Sequence, residues 1–165
     1  MRGSNTEAIL KAAEKVDRSF IAGANAMGAK IEITKLSGYM CSIGCDALNE
    51  IAYENLCDIF GKDHVLMKRE SAPADPSSVG STDASDVGHI MPMCHMYIGG
   101  AEGVLHGTDF KVSDPQMAVV DAAKSMACIA IDLLSNGAEK ALKIKENWKT
   151  PMTKEEYLSK WCGLK

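Results

Sequence analysis

The stretch SDPQMAVVDAAKSMACIAIDLL, residues 113–134, decides how the rest of the chain has to be arranged. Ser113 and Gln116 have the spacing of a capping box, and Pro115 lies in the first turn, so the pattern predicts the start of a helix. From Met117 onward this helix is apolar on nearly every side. It therefore needs a sheet or other helices to cover it.

The sequence before this helix predicts two more helices and a strand. A capping box at residues 4–7 predicts a first helix with one apolar stripe, which Gly28 ends. Residues 29–34 alternate apolar and polar side chains, which predicts a half-buried strand. A second helix is predicted over residues 46–60, and Gly61 ends it.

Only about three strands are predicted in the whole chain. The other two are short, at residues 64–67 and 94–98, and residues 71–81 form a loop rich in Pro, Ser and Ala. A charged helix near 138–148 and a last helix that begins at Thr153 complete the chain. Three strands are few for a sheet that covers a large apolar helix, so neighbouring strands come from another chain or from a larger protein.

Composition narrows the function classes. The 165 residues carry a net charge of −4 and contain no stretch that is both basic and aromatic, which argues against a nucleic-acid partner. No apolar run approaches the roughly 20 residues that span a bilayer, and the first residues do not resemble a secretory signal. We therefore expect no membrane partner, a cytoplasmic location and six reduced cysteines.

The polar side chains that bind metals concentrate between residues 80 and 110. They are Asp83, Asp86, His89, Cys94, His95, His106 and Asp109. Imidazole, carboxylate and thiolate bind divalent metals, but these spacings match no compact zinc motif. A glycine-rich turn at residues 99–103 precedes His106 and predicts that a loop presents it. Two interpretations stay open on these residues alone: a metal site, or loop residues that form hydrogen bonds and helix caps.

Two motifs together resemble one enzyme family. GSTDASDV at 80–87 is followed by HIMP at 89–92, and GGAEGVLHG stands at 99–107. They are similar to the C-terminal half of the dinuclear zinc amidohydrolases related to aminoacylase, carboxypeptidase and aminobenzoyl-glutamate hydrolase. Further similar stretches are GAKIEI at 28–33 and PMTKEEYL at 151–158.

The resemblance implies an α/β fold in two parts. Residues 1–37 correspond to a remnant of the lid, a ferredoxin-like α+β domain through which family members often dimerise. Residues 38–165 correspond to the C-terminal portion of the α/β catalytic domain of a zinc-peptidase-like fold. The remaining strands of both sheets then lie upstream, which accounts for the few strands predicted here.

The resemblance also implies roles for five residues. His106 matches the C-terminal metal ligand of the family, and Asp83 matches an acidic position beside the site. Gly99, Gly100 and Gly103 match the segment that approaches the substrate. The upstream metal ligands and the glutamate pair that holds the catalytic base have no match here, so no catalytic residue is assigned. Catalytic zinc needs about three protein ligands, which one histidine does not supply.

The first hypothesis is therefore a piece of a metal-dependent amidohydrolase that hydrolyses an N-acyl amino acid or a peptide-like amide. The complete enzyme would hold a divalent metal, zinc or else manganese or cobalt, which this chain alone does not bind tightly. The upstream half of the same enzyme or a partner subunit would complete it, and the full family member would be a homo-oligomer. Met1 then begins a natural protein, a split subunit or a truncated reading frame.

The second hypothesis is a non-catalytic assembly or binding module. It rests on the predicted strand in the lid remnant, at residues 31–34, because an unpaired strand edge invites another strand to pair with it.

Overall fold

The computed structural model describes residues 5–67 and 81–164. Ser4, Gly80 and nearly all of the loop predicted at 71–81 lie outside the described residues. The chain divides into two compact units. The first unit comprises Met1–Ile43, Pro73–Met91 and Thr150–Lys165, and the second comprises Gly44–Ala72 and Pro92–Lys149. The described part is mostly helical, with one small two-stranded antiparallel sheet.

Helix α1 of the first unit spans Thr6–Ala26. The Asn5 side chain caps it and accepts a hydrogen bond from the Ala8 N–H at 2.8 Å, so the predicted capping box is wrong in detail. Asparagine caps a helix as well as serine does. Gly28 follows the helix end with a φ of 67°, as the glycine stop predicted. No residue of α1 is buried, and its predicted apolar stripe is covered only in part: Ile9 and Ala13 are partly buried, whereas Phe20 is 60% accessible.

The strands predicted at 29–34, 64–67 and 94–98 are absent from the structure. Residues 62–64 form a 3₁₀ turn, and the other two segments pair with no strand of the described chain. Alternation predicts which face of a strand is apolar, but a strand forms only where a partner completes its hydrogen bonds. Because residues 31–34 form no strand, the binding-module hypothesis loses the edge on which it rested.

In the first unit, Asp86 connects two segments that are distant in sequence. Helix α3, Asp83–Gly88, carries Asp86, whose carboxylate accepts the Met40 N–H at 2.6 Å and the Tyr157 hydroxyl at 2.9 Å. Met40 is almost completely buried. Asp86 therefore links the segment before the second helix to the end of the chain, a structural role that sequence motifs did not reveal.

The last helix of the chain begins at the residue predicted from the sequence. Thr153 and Glu156 form a reciprocal capping box at the beginning of α5, Lys154–Glu156, as predicted. A π-helical segment, Tyr157–Trp161, continues from it. The Trp161 indole N–H donates to the Gly38 carbonyl at 3.0 Å, which fixes this tail within the first unit.

Tyr157 makes the first unit sensitive to high pH. Cys162 and then Asp86 favour the protonated phenol and raise the pKa of Tyr157 above its usual value. This stabilisation is complete below the unfolded tyrosine pKa of about 10 and is lost as pH rises through the folded pKa. We expect Tyr157→Phe to reduce the fall in thermal stability above about pH 10. Tyr39→Phe is the control, and an unchanged pH profile for Tyr157→Phe would contradict this role.

Helix α2 of the second unit spans Asp46–Phe60, as predicted, and Gly61 ends it with a φ of 84°. It packs against α4, Ala122–Asn147, around a core of Ile51, Ala52 and Ile129. Partly buried side chains surround this core: Leu48, Cys94, Met96, Leu133 and Ile144. Helical spacing of apolar residues predicts that Leu48, Ile51, Ala52, Leu56, Ile59 and Phe60 face inward, and the first three of these belong to or pack against this core.

The long apolar helix differs from its prediction at the start and in the middle. Asp114 rather than Ser113 caps it, since its carboxylate accepts the Met117 N–H at 3.0 Å. A π-helical segment, Gln116–Asp121, precedes α4, and residues 135–138 interrupt α4 with non-helical backbone angles. The charged helix predicted near 138–148 is the second half of α4, which ends at Asn147.

Much of α4 remains uncovered by the described residues. Only Ser125 and Ile129 are buried, whereas Met126, Ile131 and Leu134 are 65%, 63% and 70% accessible. The sequence predicts neighbours on several sides, and the described part of the chain supplies α2 on one side. No helix among residues 5–67 and 81–164 is long and apolar enough to cross a membrane.

The break in α4 gives a stability prediction. Asn136, Gly137 and Ala138 all have positive φ, and a left-handed conformation costs an alanine about 1–2 kcal/mol that glycine avoids. We expect Ala138→Gly to raise the free energy of unfolding by about 0.5–1 kcal/mol in urea denaturation. Ala141→Gly, in the regular second half, should lower it by about 1 kcal/mol. Equal losses for both variants would mean that α4 is continuous.

Candidate functional site

A short hairpin in the second unit carries His106. Strand β1, Ala101–Glu102, pairs antiparallel with β2, Lys111–Val112. The side chains of Glu102 and Lys111 form an ion pair of 3.0 Å across it. The loop between the strands, residues 103–110, holds His106 near its middle. The sequence predicted a loop around His106 but neither of these strands.

The base of the hairpin is fixed to the start of the following helical segment. The Gly100 carbonyl accepts the N–H groups of Ser113 and Asp114 at 2.9 and 3.0 Å. Gly100 has a φ of 94°, and a Cβ there would lie 2.7 Å from the Ala118 nitrogen. A side chain at position 100 is therefore excluded by backbone conformation and by space.

A second glycine closes the hairpin loop itself. Gly103 has a φ of 95°, and a Cβ there would collide with the Asp109 carbonyl and lie 2.9 Å from the Phe110 Cα. Gly99 is also tight, because its Cβ would lie 2.9 Å from the Met117 sulfur. Gly100 and Gly103 thus have a reason to be glycine within this chain, whereas at Gly99 the flexible Met117 side chain could move aside. The approach of all three glycines to a substrate stays a prediction.

The Gly100 arrangement predicts a local effect on the hairpin base. We expect Gly100→Ala to destabilise it by about 2 kcal/mol or more, because the change combines a positive φ with overlap against backbone atoms. Amide exchange at Ser113 and Asp114 should then accelerate roughly 30-fold. Gly23→Ala is the matched control, since nothing lies within 4 Å of a Cβ there. Unchanged exchange in Gly100→Ala would contradict this account.

His106 is exposed and has a left-handed backbone conformation, with a φ of 66°. The turn around it is held by the Gly107 N–H, which donates to the Val104 carbonyl at 2.7 Å. The Asp109 carboxylate accepts the Val104 N–H at 3.4 Å. Such a conformation costs on the order of 1–2 kcal/mol for a non-glycine residue, and strained residues of this kind concentrate at functional sites. The imidazole is thus available to a ligand.

Asp83 lies in the first unit, whereas His106 and the three glycines lie in the second. Asp83 is the first residue of α3 and is exposed, and its carboxylate accepts the Ala84 N–H at 2.9 Å. The Thr82 N–H donates to the Ser85 hydroxyl at 2.9 Å at the same helix start. Thr82 and not Asp83 is therefore the N-cap of α3, and a role of Asp83 beside a metal site stays a prediction.

The other histidines take structural or surface positions. His89 is buried, and its Nδ1 lies 2.9 Å from the Ser85 carbonyl oxygen. The apolar strand predicted at 94–98 would make His95 a core histidine, and this interpretation is wrong: His95 is exposed and stacks on Tyr97 with ring centroids 4.7 Å apart. The predicted strand that would have buried His95 does not form.

The described residues do not assemble a metal centre on their own. Within residues 5–67 and 81–164, no group of three or more His, Cys, Asp or Glu side chains is placed to hold an ion. All six cysteines are thiols. Burial, and to a lesser degree Cys45, raises the pKa of Cys94 and so disfavours the thiolate that binds metals.

Sequence reasoning missed one feature of the second unit altogether. A cavity of about 510 Å³ lies where the start of α2 meets the second half of α4. Trp148 lines it, and the indole Nε1 of this residue is buried without a hydrogen-bond partner among the described residues. No motif marks the cavity, because it depends on how two helices distant in sequence pack.

Comparison of the chain with known protein families, with curated proteins and with solved structures finds no match. A function has to be inferred from the residues of the chain itself. Two places in the second unit offer groups that a ligand can reach, the His106 hairpin and the cavity beside Trp148.

Proposed function

We propose that this chain is the C-terminal part of a metal-dependent amidohydrolase whose complete form hydrolyses an N-acyl amino acid or a peptide-like amide. The observation that carries the proposal is the exposed, left-handed His106 in a hairpin closed by Gly103. A strained, accessible imidazole at the position of the family's metal ligand is better explained by function than by packing. The cytoplasm is the proposed location.

The residues of this chain do not fit a zinc ion by themselves. Catalytic zinc takes about three protein ligands, and His106 belongs to no group of three in the described part of the chain. The proposal therefore assigns the remaining ligands and the catalytic glutamate to an upstream polypeptide or a partner subunit. Zinc is the proposed ion, with manganese or cobalt as alternatives.

Uncovered apolar surface supports a missing partner. Large apolar side chains of α4 such as Ile131 and Leu134 are mostly exposed, and so is Phe20 of α1. Ile131 and Leu134 are three residues apart and so lie on the same face of α4, and exposed apolar patches mark surfaces that other polypeptides cover. Residues 29–34, with their alternating pattern, pair with no described strand. These features agree with the proposed parts, a lid remnant at 1–37 and an incomplete catalytic domain at 38–165, in a homo-oligomer.

The test compares amide hydrolysis by the isolated chain with hydrolysis by the proposed complete enzyme. Purified alone with zinc, manganese or cobalt, the chain should hydrolyse neither N-acetyl amino acids nor aminobenzoyl-glutamate. Coexpressed with the polypeptide encoded directly upstream, it should copurify with that polypeptide and hydrolyse one of these amides. The upstream sequence should contain an HxD-type motif and a pair of glutamates. Turnover by the chain alone that His106→Ala abolishes would contradict the proposed division of the site.

A further inference from the structure

The cavity in the second unit has a mostly apolar wall. Its ten lining residues come from the start of α2, the residues just before it, and the end of α4: Gly44, Cys45, Asp46, Ala47, Ile51, Lys140, Lys143, Ile144, Asn147 and Trp148. Its volume of about 510 Å³ lies within the range of small-molecule sites, which combine an apolar lining with a few polar groups.

One polar group in this wall lacks a partner. The Trp148 indole N–H donates hydrogen bonds only, and in the described chain it is buried with nothing to accept from it. A buried unsatisfied donor costs about 1–3 kcal/mol. Because other protein atoms cover this nitrogen, Trp148 contributes its ring to the cavity wall and not its N–H.

The charged groups of the wall favour an anion. Two lysines, Lys140 and Lys143, line the cavity against one carboxylate, Asp46. Lys140 is 3.5 Å from Asp132, a long ion pair, and Lys143 forms no ion pair with a carboxylate of the described residues. The Cys45 side chain does not cap α2, so the positive end of that helix dipole adds to the lysine charge.

We propose that this cavity binds a small amphipathic carboxylate. Its aliphatic or aromatic body packs against Ile51, Ile144 and the Trp148 ring, and its carboxylate pairs with Lys143. A neutral ligand leaves Lys143 without a partner, and a cationic one is repelled by two lysines. This site depends on neither His106 nor the proposed amidohydrolase, so the two proposals fail separately.

The experiment compares three eight-carbon probes on the full chain by calorimetry: octanoate, octanol and octylamine. We expect octanoate to bind about tenfold or more tightly than the other two, since a hydrogen bond to a charged group contributes about 1.5–3 kcal/mol. Lys143→Gln should weaken octanoate binding about tenfold. Lys145→Gln, on the same helix but outside the cavity, is the matched control.

Tryptophan fluorescence tests whether octanoate binds beside Trp148. The chain has two tryptophans, so in Trp161→Phe the tryptophan emission comes from Trp148 alone. Octanoate should change this emission, and the dissociation constant from the titration should equal the one from calorimetry. Equal affinity for octanol and octanoate, an unchanged affinity in Lys143→Gln, or no emission change would each overturn the proposal. Circular dichroism confirms that Lys143→Gln folds, and the comparison of octanoate with octanol on the unchanged chain needs no variant.

Discussion

Replacing His106 with alanine is expected to lower kcat/KM of the proposed amidohydrolase, assembled with its proposed partner, by at least about 100-fold. Loss of a group that only orients a metal ligand typically costs about 10- to 100-fold in metal affinity or activity, so loss of the ligand itself should cost more. The bound metal, measured by elemental analysis of the assembled protein, should fall in parallel. His95→Ala is the control, because His95 is another exposed histidine of the same unit.

His106→Gly separates a functional histidine from a structural one. Glycine relieves the left-handed strain at a φ of 66°. This variant should therefore have a higher free energy of unfolding than the parent, by up to about 1 kcal/mol in urea denaturation. It should nevertheless be as inactive as His106→Ala in the assembled enzyme. A histidine retained for packing would show the opposite pattern, lower stability with activity kept.

Ile51→Ala is expected to lower the free energy of unfolding by about 2–4 kcal/mol. Ile51 is 8% accessible and packs between α2 and α4 beside Ala52 and Ile129, where truncation leaves a cavity. The total stability of a domain is about 5–15 kcal/mol, so this single change is a large fraction of it. Urea denaturation followed by circular dichroism measures the difference.

Ile131→Ala is the matched control for Ile51→Ala. It removes the same atoms from α4 at a position that is 63% accessible, so the expected loss in the isolated chain is within about 0.5 kcal/mol. In the assembled enzyme the same change should cost more, because the proposed partner covers this side of α4. An equal loss for both variants in the isolated chain would show that Ile131 is already covered.

Local signals in the sequence were sufficient for α2. An apolar face at helical spacing and a glycine with positive φ at its end are both properties of a few neighbouring residues, and the helix has the predicted bounds. The Thr153 start is as predicted, but the starts of the first helix and of the long apolar helix were predicted less well. Two cap-forming side chains stand next to each other at each start, and the structure uses Asn5 and Asp114. Which of two neighbours caps depends on side-chain direction, which spacing does not specify.

Strand prediction failed because its cause is not local. The alternation at 29–34 is real, but no described strand pairs with it, and the strands that do form are two residues each on either side of the His106 loop. The same dependence on distant packing hid the cavity beside Trp148. For the site, sequence predicted that a loop presents His106, but neither its left-handed backbone nor the exposure of His95 follows from residue order.

The double hydrogen bond at the Gly100 carbonyl determines how loop length would affect the imidazole. These two bonds attach the base of the hairpin to the following helical segment. Residues inserted within 103–110 would lengthen the loop that carries His106 and leave this attachment intact. Residues inserted between Val112 and Asp114 would instead detach the whole hairpin from the long helical segment. Variants of this chain should therefore fold with insertions in the loop at 103–110 but be destabilised by insertions between Val112 and Asp114.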